Sequence, residues 1–193
     1  MEQVRKFERE LADFYGAPYA VTTDSCTHAI ELCLRYQPPK EQITIPAKTY
    51  ISIPFTLIKL GLKWKFIDSE WQDFYYLGNT KIIDAAVHFQ EKGYVDDTFM
   101  CLSFQYKKTL SLGRGGAILC KHKNDYDVLK KMSYDGRTDD KPWKEQDIST
   151  IGYHYYMTTE TAIQGSNKLK SAVPKPRQGS VDYPYLPAMK IFN

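Results

Sequence analysis

The stretch SFQYKKTLSLGRGG, residues 103–116, leaves one apolar run and enters another. Before it stands TFMCLSF (98–104), and its last glycines open GGAILC (115–120). Short apolar runs bounded by turn signals read as buried strands, and the tight glycine turn sends the second strand back antiparallel. Between strand and turn stand two adjacent lysines, Lys107 and Lys108. Most lysines are solvated, and a pair in a loop is usually just that. The question is whether one of them does chemistry, and which.

Working outward, strands and helices alternate. In VRKFERELADFYG, Val4, Phe7, Leu11 and Phe14 fall three and four apart, which predicts an amphipathic helix stopped by Gly16. YAVTT (19–23) reads as a buried strand and THAIELCLRY (27–36) as a helix ended by Pro38 and Pro39. ITIP (43–46) is a further strand, ISIPFTLIKLG (51–61) a helix closed by Gly61, and KWKFID (63–68) a strand again. KIIDAA (81–86) is another buried run. Two helices follow near 124–133 and 158–170. The alternation predicts an α/β fold with right-handed crossovers and a three-layer, mostly parallel sheet. The end of the chain, AVPKPRQGSVDYPYLPAMKIFN, has four prolines and is expected to be extended, wrapped over its own or a partner's surface. The chain is thus expected to divide into residues 1–170 and a tail, 171–193.

Composition narrows the function classes. The chain has 193 residues, 42% hydrophobic and 25% charged, a profile of an ordinary globular protein with one core. A formal charge of +3 is too small to argue for nucleic acid or a membrane surface. Cys26, Cys33, Cys101 and Cys120 form no C-x-x-C pair and no metal-like spacing with the histidines, so reduced thiols are expected. The first residues are charged throughout and no apolar run is long enough to span a bilayer, which points to the cytoplasm.

Ligands in open parallel sheets sit beyond the carboxyl ends of the strands. Ser25, Cys26 and Thr27 follow the first strand and open a helix, where backbone N–H groups and hydroxyls can hold a phosphate. The alternative is that Ser25 or Thr27 merely caps that helix. Tyr50 follows ITIP and can stack on a flat ring, although a lone tyrosine is more often core or surface. Asp84 ends a buried strand and needs a cationic or hydrogen-bonding partner, which a structural salt bridge would equally provide. Ser103 and the lysine pair reach the same edge. A lysine, a carboxylate, an anion cradle and a ring-stacking aromatic at one sheet edge together suit pyridoxal 5'-phosphate.

The same residues carry a resemblance. FERELADFYGAPYAVTTDSCTHAIEL, IPAKTYISIPFTLIKLG, IIDAAVHF, SFQYKKTLSLGRGGAI and IGYHYYMTTETAIQG occur in the order of the motifs of the DegT/DnrJ/StrS family of pyridoxal phosphate-dependent sugar aminotransferases. The chain therefore resembles that family from about residue 7 to 170, which implies a minimised aspartate-aminotransferase-like large domain. In the family the cofactor-bearing lysine lies five residues after the serine and five before the first glycine of the turn. Both counts select Lys108. The resemblance places Asp84 at the pyridine nitrogen, Tyr50 on the ring, and Cys26, Thr27 and Ser103 at the phosphate, beside Ser25. It implies a homodimer with shared sites, in which His154 reaches the partner's phosphate from the position of an asparagine. It also implies a nucleotide-linked keto-sugar as substrate and glutamate or glutamine as amino donor.

Several positions depart from the family. Val87 replaces a glutamine near the cofactor's phenolic oxygen, Cys26 a glycine, Arg114 a glutamate and Tyr156 an arginine. Only some fourteen residues separate KFID from IIDAA, too few for the family's crossover. No counterpart of its C-terminal small domain is visible. These departures leave a second expectation open: a non-catalytic cofactor-binding or regulatory protein, or one subunit of a heterodimer with a full-length aminotransferase. Lys168, Lys170, Lys175 and Arg177 could meet an anionic substrate or form a solvated face, and the latter is the ordinary case.

Overall fold

A computed structural model describes residues 1–193. Helix α1 (Glu2–Tyr15) leads to β1 (Tyr19–Thr23), α2 (Cys26–Tyr36), β2 (Ile43–Pro46), α3 (Ser52–Lys59) and β3 (Trp64–Ile67). Then come β4 (Tyr75–Tyr76), β5 (Ile82–Asp84), β6 (Phe99–Ser103), β7 (Gly116–Cys120), α4 (Lys123–Ser133) and α5 (Thr159–Leu169). No helix is long and apolar enough to cross a membrane.

Five strands form one sheet in the order β1-β7-β6-β5-β4, and β2 pairs with β3 separately. Alternation along the strands feeds two apolar layers. Cys101, Ile118 and Cys120 face α2, α3 and α4, whereas Met100, Leu102, Ala117 and Leu119 face α1 and α5. Val4, Phe7 and Leu11 of α1 are fully buried on that second side, as their spacing predicts. All four cysteines are buried and unpaired.

The fold class is the expected α/β, but the sheet is mixed. Only β5–β6 and β2–β3 are parallel; β1–β7, β6–β7 and β4–β5 are antiparallel. β7 returns antiparallel through the glycine turn, where Gly113 (φ 81°) and Gly115 (φ 152°) hold backbone angles that side chains disfavour. β4 has a different origin. Too few residues follow β3 for a helical crossover, so the chain reverses over residues 77–81 and enters β5 as a hairpin. The Leu77 N–H donates to the Ile82 carbonyl (2.9 Å), and the Gly78 N–H donates to Thr44 of β2 (2.9 Å). The hairpin thus fills the space between the two sheets.

Residues 171–193 lie over the chain's own surface, and they are turned rather than simply extended, with 3₁₀ turns at 180–182, 186–188 and 190–192. The Asp73 N–H donates to Gln178, Ser180 to Trp71 and Leu186 to Ala47, each at 2.9 Å. Leu186 is fully buried, and Phe192 packs on Phe55, Trp64 and Phe66.

Gly116 sits where the ends of β1 and β6 meet the start of α2. A Cβ there would lie 2.4 Å from the Cys26 nitrogen and 2.7 Å from the Ser25 carbonyl oxygen. Gly116→Ala should therefore destabilise the fold by about 1–3 kcal/mol through overpacking against backbone. Urea denaturation, comparing midpoints at equal slope, checks this.

Candidate active site

β1, β5 and β6 run in the same direction, so Ser25, Asp84 and Ser103 emerge at one sheet edge, joined by Thr49 and Tyr50 after β2. They open onto a cavity of about 740 Å³, its open mouth included. Ser25, Cys26, Thr27, Tyr50, Asp84, Ser103 and Lys108 all line it. Seven of the eight residues singled out from the sequence are therefore brought together. The eighth, His154, does not line this cavity: it is exposed, with Nδ1 3.0 Å from Asp135 Oδ2.

Asp84 ends β5 buried at the cavity wall, and its carboxylate is satisfied by two neutral donors. The Tyr75 hydroxyl donates to Oδ2 (2.8 Å) and the Ala86 N–H to Oδ1 (3.0 Å). Tyr75 is set by the β4–β5 register, which pairs it with Asp84 itself, and by a 2.6 Å contact with the Thr49 hydroxyl. No lysine, arginine or histidine forms an ion pair with Asp84, so the structural salt bridge considered above is not what holds it. Burial raises its pKa above the ordinary aspartate value, against the pull of these hydrogen bonds and of the Lys108 charge.

The two lysines part company. After β6 the chain turns, with the Lys108 N–H donating to the Gln105 carbonyl (2.8 Å). Lys107 is exposed, its ammonium beside the Tyr106 ring, whereas Lys108 is partly buried and lines the cavity. Burial lowers the Lys108 pKa; Lys107 and Lys175 push the same way, while Cys26 and Asp84 oppose. A lysine so placed holds a larger neutral fraction than a solvated one and is the better nucleophile.

The anion cradle is built on α2. Ser25 is its N-cap, its hydroxyl accepting from the His28 N–H at 3.2 Å, so it does cap the helix while lining the cavity. The first N–H groups, those of Cys26 and Thr27, have no partner within the helix and face an end that favours negative charge. The Thr27 hydroxyl lies 2.8 Å from Ser52, at the start of α3. Arg114 also lines the cavity but is engaged: Nη2 binds Asp24 Oδ2 (2.7 Å) and Nε its carbonyl (3.2 Å). In the tail, Lys175 is likewise occupied by the Lys107 carbonyl and Arg177 by Asp73.

The sequence reading missed Thr49, Trp71, Tyr75, Gln105 and Tyr183. Trp71 and Tyr183 belong to irregular segments with no periodicity to mark them, and Tyr75 to a strand of two residues. Gln105 could have been found, since it lies between Ser103 and Lys108.

The model of the DegT/DnrJ/EryC1/StrS aminotransferase family matches residues 1–93 and 78–175. The chain belongs to that family. This member is 41% identical over 69 residues to spore coat polysaccharide biosynthesis protein SpsC of Bacillus subtilis, covering 34% of the chain and 18% of SpsC. It is 37% identical over 62 residues to 3-amino-5-hydroxybenzoate synthase of Amycolatopsis mediterranei, covering 31% of the chain and 16% of the synthase. Among solved structures, the PLP-form of Spr1654 from Streptococcus pneumoniae superposes with a TM-score of 0.73 at 20% identity, over 88% of this chain and 59% of that one. The likeness establishes an aspartate-aminotransferase-type large-domain fold, and the chain spans less than two thirds of Spr1654.

The raised Asp84 pKa has a sign that can be tested. The folded carboxyl binds its proton to higher pH than the unfolded one, so stability falls as pH rises from the ordinary aspartate range through the raised value. Asp84→Asn removes that penalty, and its amide can donate to Tyr75 while Tyr75 donates to Thr49. The ligand-free variant should be more stable than wild type at pH 7, with the gap closing as pH falls through the ordinary aspartate range. Thermal melts across pH measure it.

Proposed function

We propose that this family member is a pyridoxal 5'-phosphate-dependent aminotransferase that moves an amino group from glutamate or glutamine to a nucleotide-linked keto-sugar. The observation that carries the reading is a lysine of lowered pKa and a buried, cation-free carboxylate facing one cavity beside a helix N-terminus. The fit is specific. A carboxylate buried without a counterion is costly unless a ligand supplies a cation, and a protonated pyridine nitrogen is such a cation. The α2 N–H groups and the Thr27 and Ser103 hydroxyls suit a phosphate, and Tyr50, half exposed at the rim, suits a ring face. Ser25 and Cys26 complete that cradle.

When bound, pyridoxal phosphate supplies an electron sink that eases loss of a proton from a carbon bearing nitrogen. The chain's own part is divided among few residues. Asp84 would hold a ring nitrogen in its charged form. Lys108 Nζ, as a neutral amine, would hold the cofactor at its carbonyl and would take up and return a proton as general base and acid. Tyr75 and the Ala86 N–H fix the carboxylate so that it does not rotate.

The sugar substrate rests on the family and on the likeness to SpsC, a spore coat polysaccharide biosynthesis protein. A homodimer is proposed, in which exposed His154 serves the partner's site; the setting is cytoplasmic, with no nucleic acid or membrane partner. A second reading is favoured by Val87, which offers the ligand no hydrogen bond, and by Cys26, whose buried thiol fills space in the cradle. It is a protein that binds the cofactor without turnover, or a subunit completed by a full-length aminotransferase.

Purified protein given pyridoxal phosphate should develop a visible absorbance band, which Lys108→Ala abolishes and Lys107→Ala retains. A band in the Lys108→Ala protein would refute the assignment. Bleaching by glutamate or glutamine supports turnover. A band that neither donor bleaches supports the second reading.

A further inference from the structure

Residues 176–193 lie beyond the family match, yet one of them stands in the cavity wall. Tyr183 packs on Trp71 with ring centroids 5.4 Å apart, and Trp71 packs in turn on Tyr75, the residue that holds Asp84. Trp71 is itself pinned by its Nε1–H to the Lys48 carbonyl (2.8 Å).

The segment carrying Tyr183 is fastened on both sides. Before it, Arg177 pairs with Asp73, the Asp73 N–H binds Gln178, Gly179 bridges to Gln72, and the Ser180 N–H binds Trp71. After it, Tyr185 bridges to Lys48 and buried Leu186 binds Ala47. The fit is close at Gly179, where a Cβ would lie 2.4 Å from the Trp71 carbonyl oxygen. So many fixed contacts place the phenol beside the cavity reproducibly.

Its hydroxyl has no hydrogen-bond partner in the chain, although it shares the cavity with Asp84, Cys26 and Tyr50. Burial and the Asp84 charge keep it protonated, so it is a donor without an acceptor. Stacking on Trp71 would be served equally by phenylalanine. On the opposite count, Ala86 and Val87 bring no side-chain donor to the same cavity.

We propose that residues 177–186 are a built-in wall of the active site and that Tyr183 is a ligand-contacting residue, donating to an oxygen on the ring of the bound cofactor. The inference rests on the pyridoxal phosphate reading above. It assigns Tyr183 to the ring rather than to the phosphate cradle, because Tyr183 packs on Trp71 and Trp71 on Tyr75, the residue that holds Asp84.

Equilibrium titrations with pyridoxal phosphate and with pyridoxal, followed by absorbance and tryptophan fluorescence, separate these roles. Tyr183→Phe should weaken both ligands by the same factor, roughly threefold to tenfold, the worth of one hydrogen bond. Thr27→Ala should weaken pyridoxal phosphate far more than pyridoxal. Gly179→Ala, which displaces the segment while leaving Tyr183 intact, should weaken both ligands and speed hydrogen exchange of the 178–186 amides; ligand should slow that exchange in wild type. If Tyr183→Phe binds both ligands as wild type does, or loses only pyridoxal phosphate, the proposal is overturned while the cofactor reading stands. If wild type binds neither ligand, the cofactor reading fails and this inference falls with it.

Discussion

A carboxylate taken out of water without a counterion is among the most expensive groups a fold can bury. Asp84 is such a group, and much of what is unusual about this chain is arranged around it. The Tyr75 hydroxyl that satisfies it comes from β4, a strand of two residues that exists because the connection after β3 is too short for a crossover helix. The same short connection thus delivers the phenol. Thr49 extends the chain of hydrogen bonds to the segment after β2, which carries Tyr50. Through Trp71, which packs on Tyr75, the network reaches the C-terminal residues. Loss of the Tyr75 hydroxyl would leave one carboxylate oxygen buried and unsatisfied, so hairpin, wall and site stand or fall together.

How much of this was legible in the sequence follows from the range of the interactions. Strands such as Tyr19–Thr23 and Ile43–Pro46 lie where their apolar runs place them, because a run buried on both faces is a local signal. The choice of Lys108 over Lys107 was legible from spacing, and the structure places the first in the cavity and the second in solvent. The pairing of strands was less so. Reading alternation as parallel order misses that a five-residue reversal leaves no option but an antiparallel neighbour. Tyr183 was not legible at all: its position is set by contacts with residues more than a hundred positions away, and VDYPY carries no period.

The charges at the mouth of the site show how a departure from the family can be balanced locally. Asp24 stands one residue before the α2 cap, close to the place where an anion would bind. A bare carboxylate there would oppose a phosphate. Arg114 binds that carboxylate directly, and His28 Nδ1 lies 2.6 Å from its other oxygen while its ring stacks on Tyr155 at 3.7 Å. An arginine in the glycine turn therefore offsets an acid in the neighbouring loop, and a glutamate at the same position would add to it. Because this pair is partly exposed, its worth in stability is small. Its effect lies in the local potential at the start of α2, where the cradle's backbone donors keep their attraction for an anion only if Asp24 is neutralised.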